Sequence, residues 1–342
     1  MVFRYEMLLF LCYFVFSMKN TQKIEIKRYT DAFKKEWDAF VDEAKNSTFL
    51  FRRDFMEYHK DRFEDFSLLV FQGRKLIALF PANAVLENIY SHQGLSYGGF
   101  LVKKSVTFER YIEIVQAVLK FYNTLGYLYI HIKALPDFYD SQPSQELDYI
   151  LFLLNAALVR KDAYYMMPTA TFCLNRNRKR ALLKAERYNF YVERNNDFGT
   201  FWNTLLIPNL KKRFKTEPVH TKEEMLHLHQ FFPDNICFFG LYEGKEMRAG
   251  AVMFISDKVA HFQYSSGDEE RHTGALDVLF NYIIKFYKDK KYISFGNSSE
   301  EGGRVLNKGL ALWKESFGAQ MTTQGFYRIE TKNEMLLKNI LR

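Results

Sequence analysis

The feature that most constrains the fold is a helical pattern of apolar residues that occurs twice, 165 positions apart. In each copy the apolar residues fall at positions i, i+3, i+4, i+7, i+8 and i+11, which is the spacing of one face of an α-helix. The residues are Tyr111, Ile114, Val115, Val118, Leu119 and Tyr122 in the first copy and Leu276, Leu279, Phe280, Ile283, Ile284 and Tyr287 in the second. The copies share the phase of the helix but not its residue identities, so the pattern predicts a structural duplication.

Strand-like segments accompany both helices in the same order. Each helix is preceded by a hairpin and a third strand and is followed by a fourth strand. The predicted strands are 67–71, 75–81, 88–92 and 127–134 in the first copy and 237–242, 248–255, 258–265 and 292–298 in the second. We therefore predict an α+β fold of two tandem domains, each a mixed, mainly antiparallel sheet flanked by helices.

Two further helices are expected to open the two units. The first has Thr30 as a candidate N-cap, and the second covers the basic run 176–188. A chain of 342 residues is long enough for two domains that each bury a core. We place the N-terminal domain at 18–159 and the C-terminal domain at 160–342.

An apolar run occupies residues 7–18 at the N-terminus. It is shorter than the roughly 20 residues that a membrane-spanning helix needs, so no integral membrane segment is predicted. It resembles the core of a signal peptide in length, but no small-x-small cleavage site precedes Lys19. We interpret residues 1–17 as an extension or a mis-assigned start, with translation beginning at Met18.

Positive charge is concentrated in one part of the chain. The net charge is +8, and residues 160–215 hold 13 Lys or Arg against 4 Asp or Glu. This indicates either an anionic partner, such as the phosphates of a cofactor or of tRNA, or a solvated basic face. Nothing points to DNA.

The cysteines are few and far apart, at positions 12, 173 and 237. They form no Cys-x-x-Cys pair, so the sequence predicts neither a disulfide framework nor a zinc site, and a cytoplasmic location fits best. His227 and His229 lack further ligands at metal spacing, so no metal is expected.

Several short motifs resemble the GNAT superfamily of acyltransferases, and the duplication resembles its tandem, Fem-type (FemAB-like) branch. The C-terminal motifs are Phe295-Gly296, Glu300-Glu301-Gly302-Gly303, Asn307-Lys308-Gly309-Leu310 and Lys314-Glu315-Ser316-Phe317-Gly318. The first half adds Ser91-His92-Gln93-Gly94-Leu95-Ser96-Tyr97-Gly98-Gly99. The resemblance covers most of the chain after Lys23.

The resemblance implies that the third and fourth strands of a unit splay apart and that an acyl-CoA lies between them. Its pyrophosphate would bind the loop that opens the next helix, here residues 266–274, because a helix N-terminus favours anions. The residues that match the family's loop, and so would bind the co-substrate, are Arg271, His272, Thr273 and Gly274. Asp268, Glu269 and Glu270 are acidic neighbours of that loop, which leaves the donor open between acyl-CoA and aminoacyl-tRNA.

The activity that the resemblance implies is transfer of an acyl group from acyl-CoA to an amine, such as an amino sugar or another bacterial cell-envelope precursor. One alternative is a tRNA-dependent Fem-type aminoacyl transferase, for which the basic segment suits an RNA backbone. The other is a binding protein that keeps the GNAT fold without catalysis. The sequence does not choose the acceptor or the oligomeric state.

Acylation of an amine needs a proton acceptor and a group that stabilises the oxyanion. His261 and Gln263 alternate with Phe262 on the third strand of the second unit, so both are expected on one face. His261 is a candidate base or simply a hydrogen-bonded histidine. Glu300 is a second catalytic candidate or a cap of the following turn.

The remaining candidates are polar residues near the predicted cleft. They would either bind substrate or fix loops, and they are Asn297, Ser298, Asn307, Lys314, His92 and Gln93. The glycines of segment 94–99 have two alternative roles. They could belong to a loop that forms part of a cleft between the two units, or they could mark a bulge or a close approach of the backbone.

Overall fold

The computed structural model describes residues 23–268, 273–338 and 340–341. The extension at residues 1–17 lies outside this range, as do Arg271 and His272.

The strands are β1 (Ile24–Arg28), β2 (Glu64–Asp65), β3 (Leu68–Gln72), β4 (Lys75–Phe80), β5 (Asn83–Val85), β6 (Asn88–Tyr90), β7 (Leu101–Val102), β8 (Tyr129–Lys133), β9 (Ala157–Pro168), β10 (Phe190–Asn195), β11 (Ile236–Glu243), β12 (Glu246–Ile255), β13 (Val259–Gly267), β14 (Tyr292–Asn297), β15 (Ser299–Glu300), β16 (Val305–Leu306) and β17 (Gln320–Glu330). The α-helices are α1 (Lys34–Glu43), α2 (Arg53–Met56), α3 (Phe108–Thr124), α4 (Glu146–Leu153), α5 (Arg176–Ala185), α6 (Phe198–Thr200), α7 (Ile207–Phe214), α8 (Lys222–Phe231), α9 (Ala275–Phe286) and α10 (Lys308–Glu315), and a π-helical segment, Phe201–Leu206, joins α6 to α7.

The predicted helix faces are confirmed. All six apolar residues of the first pattern lie on α3 and are at most 2% exposed. In the second pattern the four middle residues are buried, while Leu276 is partly buried at the start of α9 and Tyr287 follows its end. Each such side chain contributes about 1.5–3 kcal/mol when it is removed from water.

The first predicted helix begins later than Thr30. Thr30 precedes a short 3₁₀ turn, Asp31–Phe33, and its side chain makes no capping bond. The α-helix itself starts at Lys34 and buries Trp37, Phe40 and Val41.

The sheets confirm the α+β class with mixed, mainly antiparallel strands. One sheet has four antiparallel strands in the order β1-β3-β4-β7. The other has eleven, in the order β10-β11-β12-β13-β14-β9-β17-β8-β6-β5-β2, and its parallel pairs are β13 with β14 and β6 with β8.

The large sheet is continuous through both halves of the chain, which the repeat did not predict. The C-terminal strand β17 pairs with β8 of the first half and with β9, and β9 also pairs with β14 of the second half. The proposed boundary at position 160 falls inside β9, so the division into 18–159 and 160–342 stays a prediction.

An apolar core joins the two halves. The ring of Phe49 lies 5.4 Å from that of Phe232 and 5.5 Å from that of Phe254, measured between centroids. Separate cores lie under α3 in the first half and under α9 in the second. The shared core includes Val259 of β13 and so packs this strand against the first half.

Within the described ranges, no helix combines the length and apolar composition required of a membrane span.

Candidate functional site

The site is a cleft that opens where two neighbouring strands separate. β13 and β14 pair in parallel for only three residues, from Val259 with Tyr292 to His261 with Ser294. Beyond them β13 follows β12 and β14 follows β9. The register between β12 and β13 skips Gln263, and such a bulge bends a strand away from its neighbour.

The cleft has a volume of about 680 Å³. Its walls come from the end of β13, the start of α9, the helices α5 and α7, and α10. Thr273 and Gly274 lie in the wall, at the N-terminus of α9. The loop that the resemblance assigned to the donor therefore lines this cavity together with the end of β13, whereas no residue of β14 is in the lining.

The N-terminus of α9 has the features of an anion site. Gly274 is its N-cap, with the left-handed φ of +76° that glycine adopts without strain, and no side chain caps the helix there. The buried Thr273 accepts a 3.4 Å hydrogen bond from the Ala275 N–H. The first N–H groups of a helix have no partner within the helix, so they and the helix dipole favour an anion here.

The acidic residue closest to this loop in the described part of the chain is compensated by a buried arginine. Arg248 is 7% exposed, and its Nε lies 2.7 Å from Oδ2 of Asp268. The ion pair removes much of the repulsion that Asp268 would exert on a phosphate. Glu269 and Glu270 lie outside the described residues.

His261 is the last residue of β13 that pairs with β14, and it precedes the part of β13 that lines the cleft, which starts at Ser265. Its Nδ1 is 2.9 Å from the hydroxyl of Ser294, and its ring is stacked 6.3 Å from that of Tyr164. Burial and the positive charge of Lys314 lower the pKa of His261 to about 4, and interactions with Gln263 and Ser294 oppose the shift. The imidazole is therefore neutral at pH 7.

Lys314, on α10, lies near His261 and the end of β14. Its Nζ donates to the carbonyl oxygens of Gly296 (2.9 Å) and Asn297 (2.7 Å), and the residue is 3% exposed. Burial lowers the pKa of Lys314 to about 7. An ammonium has three N–H donors, so the protonated lysine keeps one beyond these two bonds.

A small cavity brings residues of both halves to His261. His261, Gln263 and Phe254 come from the second half, and the first half contributes Tyr97 and Tyr139. His261 and Gln263, expected on one face, thus line the same space.

Structural comparison identifies the architecture. The crystal structure of FemX superposes with a TM-score of 0.66 at 12% sequence identity, covering 92% of this chain and 99% of that one. The chain has the FemX fold. L-PGS from Bacillus licheniformis (TM-score 0.58, 12% identity, 89% and 95% of the two chains) and a conserved protein of unknown function from Bacteroides thetaiotaomicron (0.55, 9%, 90% and 100%) are also similar. No model of a protein family matches the sequence, and no curated protein matches it either.

Within this FemX fold, Asn297 and Ser298 form the turn that follows β14. The Asn297 side chain closes the turn by accepting from the Ser299 N–H (2.7 Å) and donating to the Ser299 carbonyl (3.1 Å). Ser298 is 2% exposed, and its hydroxyl has no hydrogen-bond partner in the described structure. Their predicted roles in substrate binding stay predictions.

Glu300 and Asn307 contact each other near the mouth of the cleft. Nδ2 of Asn307 donates to Glu300 at 2.7 Å, and Oδ1 caps α10 by accepting from the Leu310 N–H at 3.0 Å. Asn307 also lines the cleft, whereas Glu300 is exposed on the β15 strand. The Glu300 side chain makes no capping bond to the following turn, Glu301–Gly303, so both its capping and its catalytic role stay predictions.

His92 and Gln93 lie in the first half, outside the cleft. Gln93 pairs with Asn83 through two hydrogen bonds, of 2.9 Å between the side-chain amides and 2.7 Å from the Gln93 N–H. His92 has a left-handed φ of 67°, is buried, and stacks on His59 with ring centroids 5.2 Å apart. These contacts are structural, and the structure gives no support for contact with substrate.

Gly94 and Gly98 of this loop lie very close to neighbouring atoms, which is one of the two roles predicted for these glycines. A Cβ at Gly94 would lie 2.0 Å from Nε2 of His59, and one at Gly98 would lie 2.1 Å from the Ser91 carbonyl oxygen. We expect Gly94→Ala to lower the free energy of unfolding by about 1–3 kcal/mol, because the buried His59 would have to move. Gly199→Ala is the control, since its Cβ would meet only Lys222, at 3.7 Å. Equal stability of the two variants in urea unfolding would contradict the prediction.

Sequence reasoning did not find Ser294, Tyr164 or Arg248. Ser294 and Tyr164 contact His261 across the sheet, and Arg248 neutralises Asp268 from β12. The parallel register of β13 and β14, had it been known, would have paired Ser294 with His261. In the described part of the chain, no group of three or more His, Cys, Asp or Glu side chains is placed to hold a metal ion.

Proposed function

We propose that the protein is an N-acyltransferase in which an acyl donor lies between β13 and β14 and an amine attacks its carbonyl carbon. The observation that carries the proposal is the separation of these strands beside the N-terminus of α9, whose N-cap Gly274 has no side chain to cap the helix. The FemX fold is consistent with it.

The cleft suits the phosphates of an acyl-CoA. The N–H groups at the start of α9, around Gly274, would hold the pyrophosphate, and the guanidinium groups of Arg178 and Arg213 line the same walls. The ion pair of Arg178 with Asp277 fixes the arginine against the helix. The elongated arm of the donor would then extend along β13 toward His261.

His261 and Lys314 are groups suited to acyl transfer. The amine forms a C–N bond as the C–S bond of the thioester breaks, and negative charge develops on the carbonyl oxygen in between. The free N–H of protonated Lys314 would stabilise that charge, and the neutral His261 would accept the proton that the amine loses. The coenzyme thiolate leaves and takes up a proton.

The proposal specifies only the chemical class of the acceptor, which is an amine. The proposed acceptor is an amino sugar or another cell-envelope precursor with a free amine, and a cytoplasmic location is part of the same proposal.

Thermal unfolding with and without acetyl-CoA and coenzyme A tests the donor site. We expect a melting temperature that rises with ligand concentration, since a ligand selective for the folded state stabilises it by mass action. Gly274→Asp is expected to abolish the rise, because a carboxylate would occupy the anion site. Gly274→Asn is the matched control, since asparagine also tolerates a left-handed φ but carries no charge. No shift at millimolar ligand in the wild type would refute acyl-CoA as the donor.

One observation favours the second candidate function, a tRNA-dependent aminoacyl transferase. The two helices whose arginines line the cleft carry further exposed basic residues, which are Arg176, Lys179, Arg180 and Lys184 on α5 and Lys211 and Lys212 on α7. If an aminoacyl-tRNA is the donor, its binding should weaken steeply with salt. Binding of neither donor would favour the non-catalytic alternative.

A further inference from the structure

A second cavity, separate from the donor cleft, has an acidic lining. Its volume is about 250 Å³, and it lies between the ends of β8 and β7 and the helix α4, facing β17. Three of the residues that line it are aspartates, Asp137, Asp140 and Asp148, and the lysine in its wall is Lys161. The lining thus has an excess of negative charge.

One of these aspartates is buried with an unused oxygen. Asp140 is 8% exposed, and its Oδ1 has no hydrogen-bond partner in the described structure. Its backbone is held on both sides, since its carbonyl accepts from Lys258 (2.6 Å) and its N–H donates to the Asp137 carbonyl (3.1 Å). Buried polar atoms are nearly always hydrogen-bonded, so an orphan carboxyl oxygen at a cavity calls for a partner.

The basic residues near Asp140 interact with other groups. Lys45 forms an ion pair with Glu146, and Lys258 donates to the backbone carbonyls of Asp140 and Ser141. Gln324, which is 5% exposed in the wall, donates to the carbonyls of Ser96 and Ala134. None of these contacts satisfies Asp140 Oδ1.

We propose that this cavity binds the ammonium group of a small organic cation, with Asp140 as its counter-ion. An inorganic metal ion is disfavoured because the described carboxylates do not come together as a ligand set. The volume is just below the roughly 300–1,000 Å³ of ordinary small-molecule sites, which suits an amine-bearing group and not a large ligand. This inference does not depend on the proposed acyl transfer, because it concerns binding alone.

Proton linkage gives the proposal a specific signature. Burial, followed by the negative charge of Asp137, raises the pKa of Asp140 to about 8; Glu146 also raises it, while Lys45 and Lys258 lower it. A bound ammonium stabilises the carboxylate, so binding below pH 8 must displace a proton. Affinity should therefore increase about tenfold per pH unit up to about pH 8 and then level off.

The test is calorimetric titration of the full chain with 1,4-diaminobutane between about pH 6 and pH 9, where its amines stay charged. In buffers of different ionisation enthalpy at about pH 7, we expect release of nearly one proton per bound diamine. Asp140→Asn should weaken binding at least tenfold at the upper pH and remove the pH dependence, because asparagine keeps the shape of the side chain without its charge. The control is Asp289→Asn, an exposed position in the second half that should bind like the wild type.

Two results would overturn the proposal. One is no heat of binding with millimolar diamine in the wild type at the upper pH, and the other is equal affinity and proton release in Asp140→Asn and the wild type. The pH dependence is measured on the wild type, so the proposal remains testable if Asp140→Asn does not fold. Failure here would leave the coenzyme A test of the donor cleft unaffected.

Discussion

Replacing Lys314 with Met is expected to lower the rate of acyl transfer by about 10²–10³-fold, the usual loss when one donor to a developing oxyanion is removed. Lys314 is a buried lysine near His261, and its Nζ donates to the carbonyls of Gly296 and Asn297. Methionine keeps the length and apolar stem of the side chain but not its charge or donors. The measurement is release of coenzyme A thiol in the presence of the amine acceptor that a screen identifies.

Lys290→Met is the matched control. Lys290 also donates to two backbone carbonyls, those of Ser256 (2.7 Å) and Asp257 (3.1 Å), but it has no part in the proposed mechanism. Loss of two lysine-to-carbonyl bonds is thus common to both variants, and only Lys314→Met should lose activity. Similar rates in both variants would remove Lys314 from the mechanism.

The pH profile separates a role of the charge from a role in structure. Because burial lowers the pKa of Lys314 to about 7, its ammonium form is lost as pH rises through that value, and the rate should fall on the alkaline side. Lys314→Arg stays protonated throughout, so any activity it retains should lack this alkaline decline. A decline that persists in Lys314→Arg would assign it to another group.

The second large effect is expected in acid. Burial lowers the pKa of His92 to about 3 and that of His220 to about 4, and it lowers the pKa of His59 as well. With His261, also near 4, these side chains are neutral in the folded protein but take up protons near pH 6.5 once unfolded. Their stabilisation is therefore complete above pH 6.5 and is lost as pH falls toward their folded pKa values.

Each of these histidines contributes a slope of about 1.4 kcal/mol per pH unit to the free energy of unfolding in this window. For His92, His220 and His261 together the slope would reach about 4 kcal/mol per pH unit between roughly pH 6 and pH 4. His92→Asn should reduce the slope by about one third, because asparagine tolerates the left-handed backbone but does not titrate. Urea unfolding at several pH values measures it.

The exposed His227 provides the control for this experiment. His227→Asn makes the same change of residue type at an exposed position, and we expect the wild-type slope. If His92→Asn also keeps the wild-type slope, His92 must be able to take up its proton in the folded protein.

Much of the fold follows from the sequence because local periodicity reports burial directly. The faces of α3 and α9, the two hairpins and the order of strands were predictable, since a side chain's position within a helix or strand depends on its neighbours in sequence. The donor loop at Gly274, by contrast, was expected only from the resemblance to the GNAT superfamily, which placed it before the second predicted helix.

The chemistry within the cleft depends on contacts between residues far apart in sequence, which periodicity does not contain. Packing decided that Lys314 is buried against the end of β14, that Ser294 bonds His261, and that Arg248 neutralises Asp268. It also decided that β17 crosses back to pair with β8 and so makes one sheet of two repeats. A pKa depends on every charge and apolar group around a side chain, so the roles of such residues become visible only in the tertiary structure.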